Sequence, residues 1–428
     1  MSNTGLNEEA WEKLFKKHDI LQHIEEDGYF NISATEIRKF REPRLMTKFD
    51  HSVNLPELFL ENNLSILPIT RGDYVISHFD AYHKFEPYSS DIINNSIPKY
   101  IQSLDIKNIS SEAIALNCAF ISGIIADFLE DTEIVPTVSG RMGSGKFSFT
   151  INDIKTRDSH LIDVENSQIE IDAAYEGLNY LALFEAKRDL SEDFLIRQLY
   201  YPFRVWKDRV IKSVKPVFLI YSNGIYRLYE YMFECYDNYN SLKLVKQKNY
   251  SVWDTTISSL DIQEILQNTA IVEEPDLPFP QANKFERIIN LCELLNVRDL
   301  SRSDVTGRYD FDVRQTNYYT DAALYLGLVN KKEENGEPFY SISTNGKRIL
   351  DLNLRQRQLE YCKIILSHKS FNMTLQKYFK NGEMPKIDEI VDIMKHSNLY
   401  NVTSENTYAR RASTIKAWIN WIVSLINE

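Results

Sequence analysis

The 428-residue sequence predicts a mixed α+β (mixed α/β) protein. At roughly 150 residues per domain, that length corresponds to about three domains. Two further observations set the class. Asn223-Gly224 sits between the apolar runs Val217–Tyr221 and Ile225–Tyr229, a strong hairpin signal because both turn positions tolerate positive φ. A proline-rich break at Glu273–Pro280 is followed by two helical patterns and then two strand-like runs.

Along the chain, Glu8–Glu26 has a helical pattern, and Arg38–Leu45 reads as a polar, basic loop. Leu64–Ile69 follows as a strand-like run, and then comes Arg71–Ile76. The arginines of this region are either solvated or present guanidinium forks to phosphates or guanine edges. Ser111–Glu130 predicts a long helix, with short strands after it up to Ile151. Further strands are expected at Ile169–Asp172 and Tyr180–Lys187, then a helix from Glu192 to about Arg209. Three prolines between Glu273 and Pro280 cannot continue a helix or a central strand, so this is a linker. Beyond it, Lys284–Leu295 and Val313–Leu326 are helical, the second stopping at Gly327. Leu328–Asn330 and Phe339–Ile342 form strands joined through Asn335-Gly336, which is the order of a winged helix. In Thr407–Ile426, Ile415, Ile419, Ile422 and Ile426 make one apolar helical stripe.

The expected division is therefore four segments. Residues 1–104 form an N-terminal module with DNA recognition as its candidate role, and 105–272 form a core. Residues 281–352 form a winged helix, and 353–428 a helical segment for which a second winged helix is the alternative.

Composition excludes several classes. Hydrophobic residues make up 43% and aromatics 12%, which is ample for packed cores. Met1–His18 carries Glu8, Glu9 and Glu12 and has no apolar centre, so it does not read as a secretory signal. The most apolar stretch, Ala113–Leu129, is broken by Asn117, Ser122, Gly123 and Asp127 and falls short of the roughly 20 residues of a membrane span. The cysteines 118, 235, 292 and 362 are isolated, which fits reduced thiols in a cytoplasm. No membrane partner is expected.

The net charge of −12 is unevenly distributed. Between Asp158 and Asp193 there are ten acids and two bases, whereas Arg197–Lys215 holds six bases and one acid. In the acidic part, alternation places Glu170 and Asp172 on one face of a strand, and Glu185 and Lys187 on one face of the next. Pairing the two strands would bring Asp172, Glu185 and Lys187 together. Clustered carboxylates raise each other's pKa unless a cation neutralises them, and hard oxygen donors suit Mg²⁺. Such a site beside a basic helix suits phosphodiester hydrolysis. Lys187 could hold, or help deprotonate, the attacking water. The plainer reading is a surface hairpin with an ordinary ion pair.

Asp172, Glu185-Ala186-Lys187 and the helix containing Gln198–Arg204 resemble the PD-(D/E)XK nuclease superfamily. The wider pattern, including Arg41–Met46 and Leu67–Gly72, resembles prokaryotic type II restriction endonucleases with trailing winged-helix segments. The resemblance implies a PD-(D/E)XK nuclease core between the N-terminal module and the winged helix. It implies that Asp172, Glu185 and the Ala186 carbonyl ligate Mg²⁺, that Lys187 positions the water, and that Gln198 supports the site. It also implies sequence-specific cleavage of double-stranded DNA, and a cognate DNA methyltransferase to protect the host genome. Two cuts need two active sites, so a homodimer at least on DNA is expected. The motif's proline is replaced here by Ile171, which leaves Glu170 as a second candidate carboxylate.

Gly140–Lys146 nearly matches a phosphate-binding loop, but Phe147 stands where a hydroxyl is needed and Phe147–Ile151 alternates like a strand, so no ATP is expected. Arg141 and Lys146 of this turn, with Arg197 and Arg204 of the basic helix, are candidate contacts to the DNA backbone. Arg314 and Gln315 are of types that read base edges, and Arg410 and Arg411 are further candidates. Two other readings compete with the restriction nuclease: a non-catalytic, sequence-specific DNA-binding regulator on a nuclease-like scaffold, and a structure-specific repair nuclease.

Overall fold

The computed structural model describes residues 3–88, 91–107, 109–253, 255–308, 313–334 and 336–427. It is a mixed α+β protein. No helix among the described residues is long and apolar enough to cross a membrane.

The first unit is helical around a three-stranded antiparallel sheet, Phe30–Ser33, Asp73–Ser77 and Ser65–Pro68 in that order. Its core is aromatic: Trp11 and Phe15 meet Phe59 edge-on at 4.8 and 5.3 Å. The expected single helix is two, Asn3–His18 and Ile20–Asp27, separated by Asp19 at φ 44°. Asp is one of the few residues that tolerate the left-handed region, so the chain turns there without a glycine.

The second unit is built on a seven-stranded sheet. Its order is Ile92–Asn94, Leu242–Ser251, Ile225–Phe233, Ser213–Ser222, Tyr180–Lys187, Ala173–Glu176, Val135–Pro136. Tyr180–Lys187 and Ser213–Ser222 run parallel, with helix Arg197–Lys207 as their crossover. The Asn223-Gly224 turn has φ of 53° and 71°, the positive pair that the hairpin requires. Because Ile92–Asn94 pairs with this sheet, the first unit ends well before residue 104. The expected 111–130 helix is broken into Glu112–Ile121 and Ile124–Leu129 at Gly123, φ 76°.

Tyr180–Lys187 is covered on both faces, hence its near-continuous apolar run. Ala182, Phe184 and Ala186 pack toward Glu112–Leu129, and Leu181 and Leu183 toward helix Arg197–Lys207. Glu185 and Lys187 continue the second face. The preceding segment does not pair as expected. Gln168–Ile171 pairs with Gly140–Gly143, and only Ala173–Glu176 pairs with Tyr180–Lys187. Asp172 therefore sits where the chain switches sheets. Lys146–Asn152 is a strand, paired with Ser159–Glu165.

The third unit contains Phe285–Val297, Leu300–Ser301, Arg302–Arg308, Val313–Tyr325 and the antiparallel pair Val329–Glu334 and Glu337–Ile342. This is the expected helix–helix–wing order, with Gly327 at φ 65° beyond the second long helix. Asn335, the expected wing turn, lies outside the described residues. Residues 353–427 carry four more helices and no strand, so the alternative of a second winged helix has no wing. They do not form a core of their own either: Tyr361, Phe371 and Trp418 share one core with Phe285 and Leu295.

The proline segment is packed rather than free. Phe279 is 2% exposed and stacks on Phe371 at 5.7 Å, and the Ala282 carbonyl accepts from Trp418 Nε1 at 2.7 Å. Ile262 and Leu266 of helix Ser259–Asn268 belong to the same core. The boundary thus lies near residues 252–257, not at 272–281. Phe279→Ala should cost about 3 kcal/mol of the third unit's stability. Urea denaturation followed by tryptophan fluorescence would measure it, and a loss below about 1 kcal/mol would be the signature of an unpacked linker.

Candidate active site

The polar end of strand Tyr180–Lys187 opens into a cleft of about 660 Å³. Its walls come from all three units: Asp50 and His51 from the first, Glu112, Asp172, Glu185, Lys187, Arg197 and Gln198 from the second, Leu294 and Gly307 from the third.

The geometry follows from strand and helix periodicity. Glu185 and Lys187 are two residues apart on one face, and Lys187 Nζ donates to Glu185 Oε1 at 2.5 Å. Helix Arg197–Lys207 crosses that face, and Gln198 Nε2 donates to the same oxygen at 2.8 Å. Gln198 Oε1 is buried without a hydrogen-bond partner. Asp172, at the sheet switch, accepts the Ala186 N–H on Oδ2 at 2.8 Å. Asp172, Glu185, Ala186, Lys187 and Gln198 therefore meet, although not by the strand pairing expected.

Charges here are strongly perturbed. Burial pushes Glu185 up to about 7; Lys187 pulls it back and the Asp172 charge adds to the rise. Burial likewise raises Asp172, against the Ala186 N–H and Lys187. Burial acts downward on Lys187, but Glu185 and Asp50 outweigh it and hold the ammonium well above the usual lysine range. Glu112, in the first turn of its helix, is raised by burial.

The remaining expected residues divide. Arg141 lines the cleft but donates Nε to Glu170 at 3.0 Å, which occupies the second candidate carboxylate. Arg197 lines the cleft and lies over the Tyr201 ring. Lys146 is on an exposed hairpin, 4.0 Å from Glu165 and outside the cleft wall. Arg204 corrects the expectation of a DNA contact. It is 4% exposed, donates Nη1 to the Ser148 carbonyl and the Tyr200 hydroxyl, and stacks 3.9 Å from the Tyr236 ring centre. Arg314 and Gln315 are exposed on Val313–Tyr325, with Arg314 Nε donating to Tyr318. Arg410 is exposed, whereas Arg411 is half-buried and donates to Gln281. None of these four lines the cleft.

Sequence reasoning missed Lys48, Asp50, His51 and Glu112. Only Glu112 carried a local signal, an acid directly after the Ser111 cap of an apolar helix. His51 is 2% exposed, its Nδ1 lies 2.6 Å from the Asp193 carbonyl and its Nε2 3.7 Å from Asp189. Burial raises Asp189, but the His51 hydrogen bond, together with the His51 and Lys187 charges, outweighs it and leaves that carboxyl below its ordinary range.

Among the described residues, no group of three or more His, Cys, Asp or Glu side chains converges as a metal centre. The donor set on the strand end is smaller: two carboxylates, Asp172 and Glu185, and the Ala186 carbonyl. That set fits Mg²⁺, which takes few protein carboxylates and leaves room for substrate phosphate. A half-buried Asp172 whose charge raises a buried Glu185 is also the arrangement a cation relieves. Protons must leave Glu185 before it can ligate, so affinity should fall with pH through about 7. Titration with Mn²⁺ as probe, by calorimetry, should give binding about tenfold weaker at pH 6 than at pH 8. Equal affinity at both would exclude Glu185 as a ligand.

Three family models match the chain, each described only as a domain of unknown function: DUF6996 over residues 8–76, DUF6997 over 77–251 and DUF7226 over 287–427. Neither a curated protein nor a solved structure matches. The chain is thus similar to three domain families in succession; the first two matches end close to the limits of the first two packed units, whereas the third begins at residue 287, inside the third unit.

Proposed function

We propose that the protein is a Mg²⁺-dependent endonuclease of the type II restriction kind, hydrolysing both strands of double-stranded DNA at a specific sequence. One observation carries this reading: the buried Lys187 ammonium lies on Glu185, beside Asp172, at a strand end that opens into a cleft. A surface hairpin with an ordinary ion pair would be exposed, whereas the side chains of Lys187 and Glu185 are 13% and 10% exposed.

In this reading Asp172, Glu185 and the Ala186 carbonyl hold Mg²⁺. When bound, the ion supplies Lewis-acid polarisation of the phosphoryl oxygen and stabilisation of the leaving oxygen. Lys187 orients the water that attacks phosphorus, because its ammonium is fixed by Glu185 and cannot swing to solvent. Gln198 holds Glu185 in place through its amide N–H. Arg197, on the cleft wall, is placed for a backbone phosphate. Arg314 and Gln315 are exposed on the second long helix of the helix–helix–wing unit, the element that enters the major groove in winged helices. Double-strand cleavage calls for a homodimer on DNA, and restriction calls for a cognate methyltransferase in the same cytoplasm.

Incubating the protein with unmethylated phage DNA and Mg²⁺ should give discrete fragments. Lys187→Ala should lower the rate on the order of 10²-fold or more. Equal cutting by Lys187→Ala would remove the site assignment. Tight sequence-specific gel shifts without any cleavage would favour the regulator, and cleavage confined to branched or damaged DNA the repair nuclease. Arg314→Ala should weaken specific binding by about 1–3 kcal/mol and relax preference at one base position, read by competition gel shift.

A further inference from the structure

We propose that Asp50, delivered by the N-terminal unit, is a positioning residue for Lys187. The proposal rests on the nuclease reading of the cleft and names a residue that neither the motif nor the domain matches assign.

Asp50 Oδ2 lies 4.0 Å from Lys187 Nζ and 3.6 Å from Lys48 Nζ. Its side chain is 20% exposed and lines the cleft. The backbone that carries it is fixed on both sides. The Asp50 carbonyl accepts the Leu195 N–H at 2.9 Å, and the Phe49 carbonyl accepts the Tyr82 hydroxyl at 3.0 Å. His51 Nδ1 lies on the Asp193 carbonyl, and the Ser52 N–H donates to Asp193 Oδ1 at 3.0 Å. A segment some 130 residues upstream of the motif is thus pinned to residues 193–195, and its carboxylate, Asp50, lies between Lys48 and the motif lysine.

The need for a second carboxylate follows from the first one's divided duty. Glu185 Oε1 already accepts from both Lys187 and Gln198. A carboxylate that also ligates a cation gives up part of its hold on an ammonium. Asp50 is the other carboxylate within 4.0 Å of Lys187 Nζ among the described residues. It does not ligate or react. It keeps the ammonium in the cleft beside a Glu185 oxygen that is already shared with Gln198, and the more so when Glu185 also ligates a cation.

The test uses the full chain and two readouts. In metal-free protein, acetic anhydride labelling of Lys187, followed by peptide mass spectrometry, should rise about threefold or more in Asp50→Asn, with Lys246 and Lys377 as internal references. Asp50→Glu, which keeps the charge, should return labelling to near wild type. On cleavable DNA with Mg²⁺, Asp50→Asn should lower kcat about tenfold with KM within about twofold, and Asp50→Glu should recover most of it. Unchanged Lys187 labelling in Asp50→Asn overturns the proposal whether or not the protein cuts DNA. Cutting by wild type and Asp50→Asn at equal kcat overturns it too, while leaving the nuclease reading standing. Absence of cutting by wild type would instead remove the nuclease reading, and labelling alone then decides the role of Asp50.

Discussion

The Lys187–Glu185 pair is the interaction on which the arrangement of the three units depends. An ammonium and a carboxylate taken out of water each cost several kcal/mol, and their mutual attraction offsets this only with good geometry and further hydrogen bonds. The strand that bears them is otherwise apolar on both faces, so its polar end cannot be left under the sheet's own helices. It has to meet partners that are themselves polar. Gln198 comes from the crossover helix and Asp50 from the N-terminal unit. Removing either partner of the central pair would leave an uncompensated buried charge, which typically costs 3–5 kcal/mol. Tight packing around the site is thus a consequence of its charge.

The segment just after Lys187 shows how that packing is achieved. The Arg188 carbonyl accepts from Asn290 Nδ2 at 2.7 Å, and the Leu190 N–H donates to Asn290 Oδ1. Glu192 pairs with Lys284 at 2.6 Å, so these three contacts reach helix Phe285–Val297 and its N-cap. Asp193–Leu195 forms a strand with Tyr82–Lys84 and anchors His51 and Ser52. The acidity of the 158–193 region therefore has three parts. Asp189, Glu192 and Asp193 dock neighbouring units, Glu170 and Glu176 pair with Arg141 and Lys212, and Asp172 and Glu185 remain at the strand end in the cleft. Charge count alone could not separate them, because docking acids and cleft acids have the same composition.

The local parts of the structure were legible in the sequence. Strand Tyr180–Lys187, the Asn223-Gly224 hairpin and the helix–helix–wing order all rest on periodicity or turn chemistry, which neighbours in sequence determine. What failed rests on distant partners. The helix expected from Glu192 begins only at Arg197, because Asp193–Leu195 is captured by a strand 110 residues upstream. The basic stretch 197–215 looked like a charged face. Arg204 is instead buried on Ser148 and Tyr200, Lys212 is tied to Glu176, and Lys215 to Glu230. The Glu185-Ala186-Lys187 spacing identified the site's lysine and one carboxylate, while Asp50 and His51 have no local pattern at all.

The same docking contacts bear on how reading and cutting would be related under the proposed function. Arg227 donates to Glu286 at 3.1 Å, Glu293 accepts the Asn223 N–H at 2.9 Å, and Asn54 Nδ2 donates to the Thr306 carbonyl. The first of these contacts involves an arginine that is 3% exposed, so water competes little with it. The proline segment that joins the units is itself held by Phe279 and the Ala282 carbonyl. The helix bearing Arg314 and Gln315 is therefore not tethered by a flexible leash, which would let the cleft sample many positions on a duplex. It is mounted, through these contacts, on the same packed assembly as Lys187. An enzyme that cuts at a fixed offset from the bases it reads needs that mounting, and a scaffold that merely binds DNA does not.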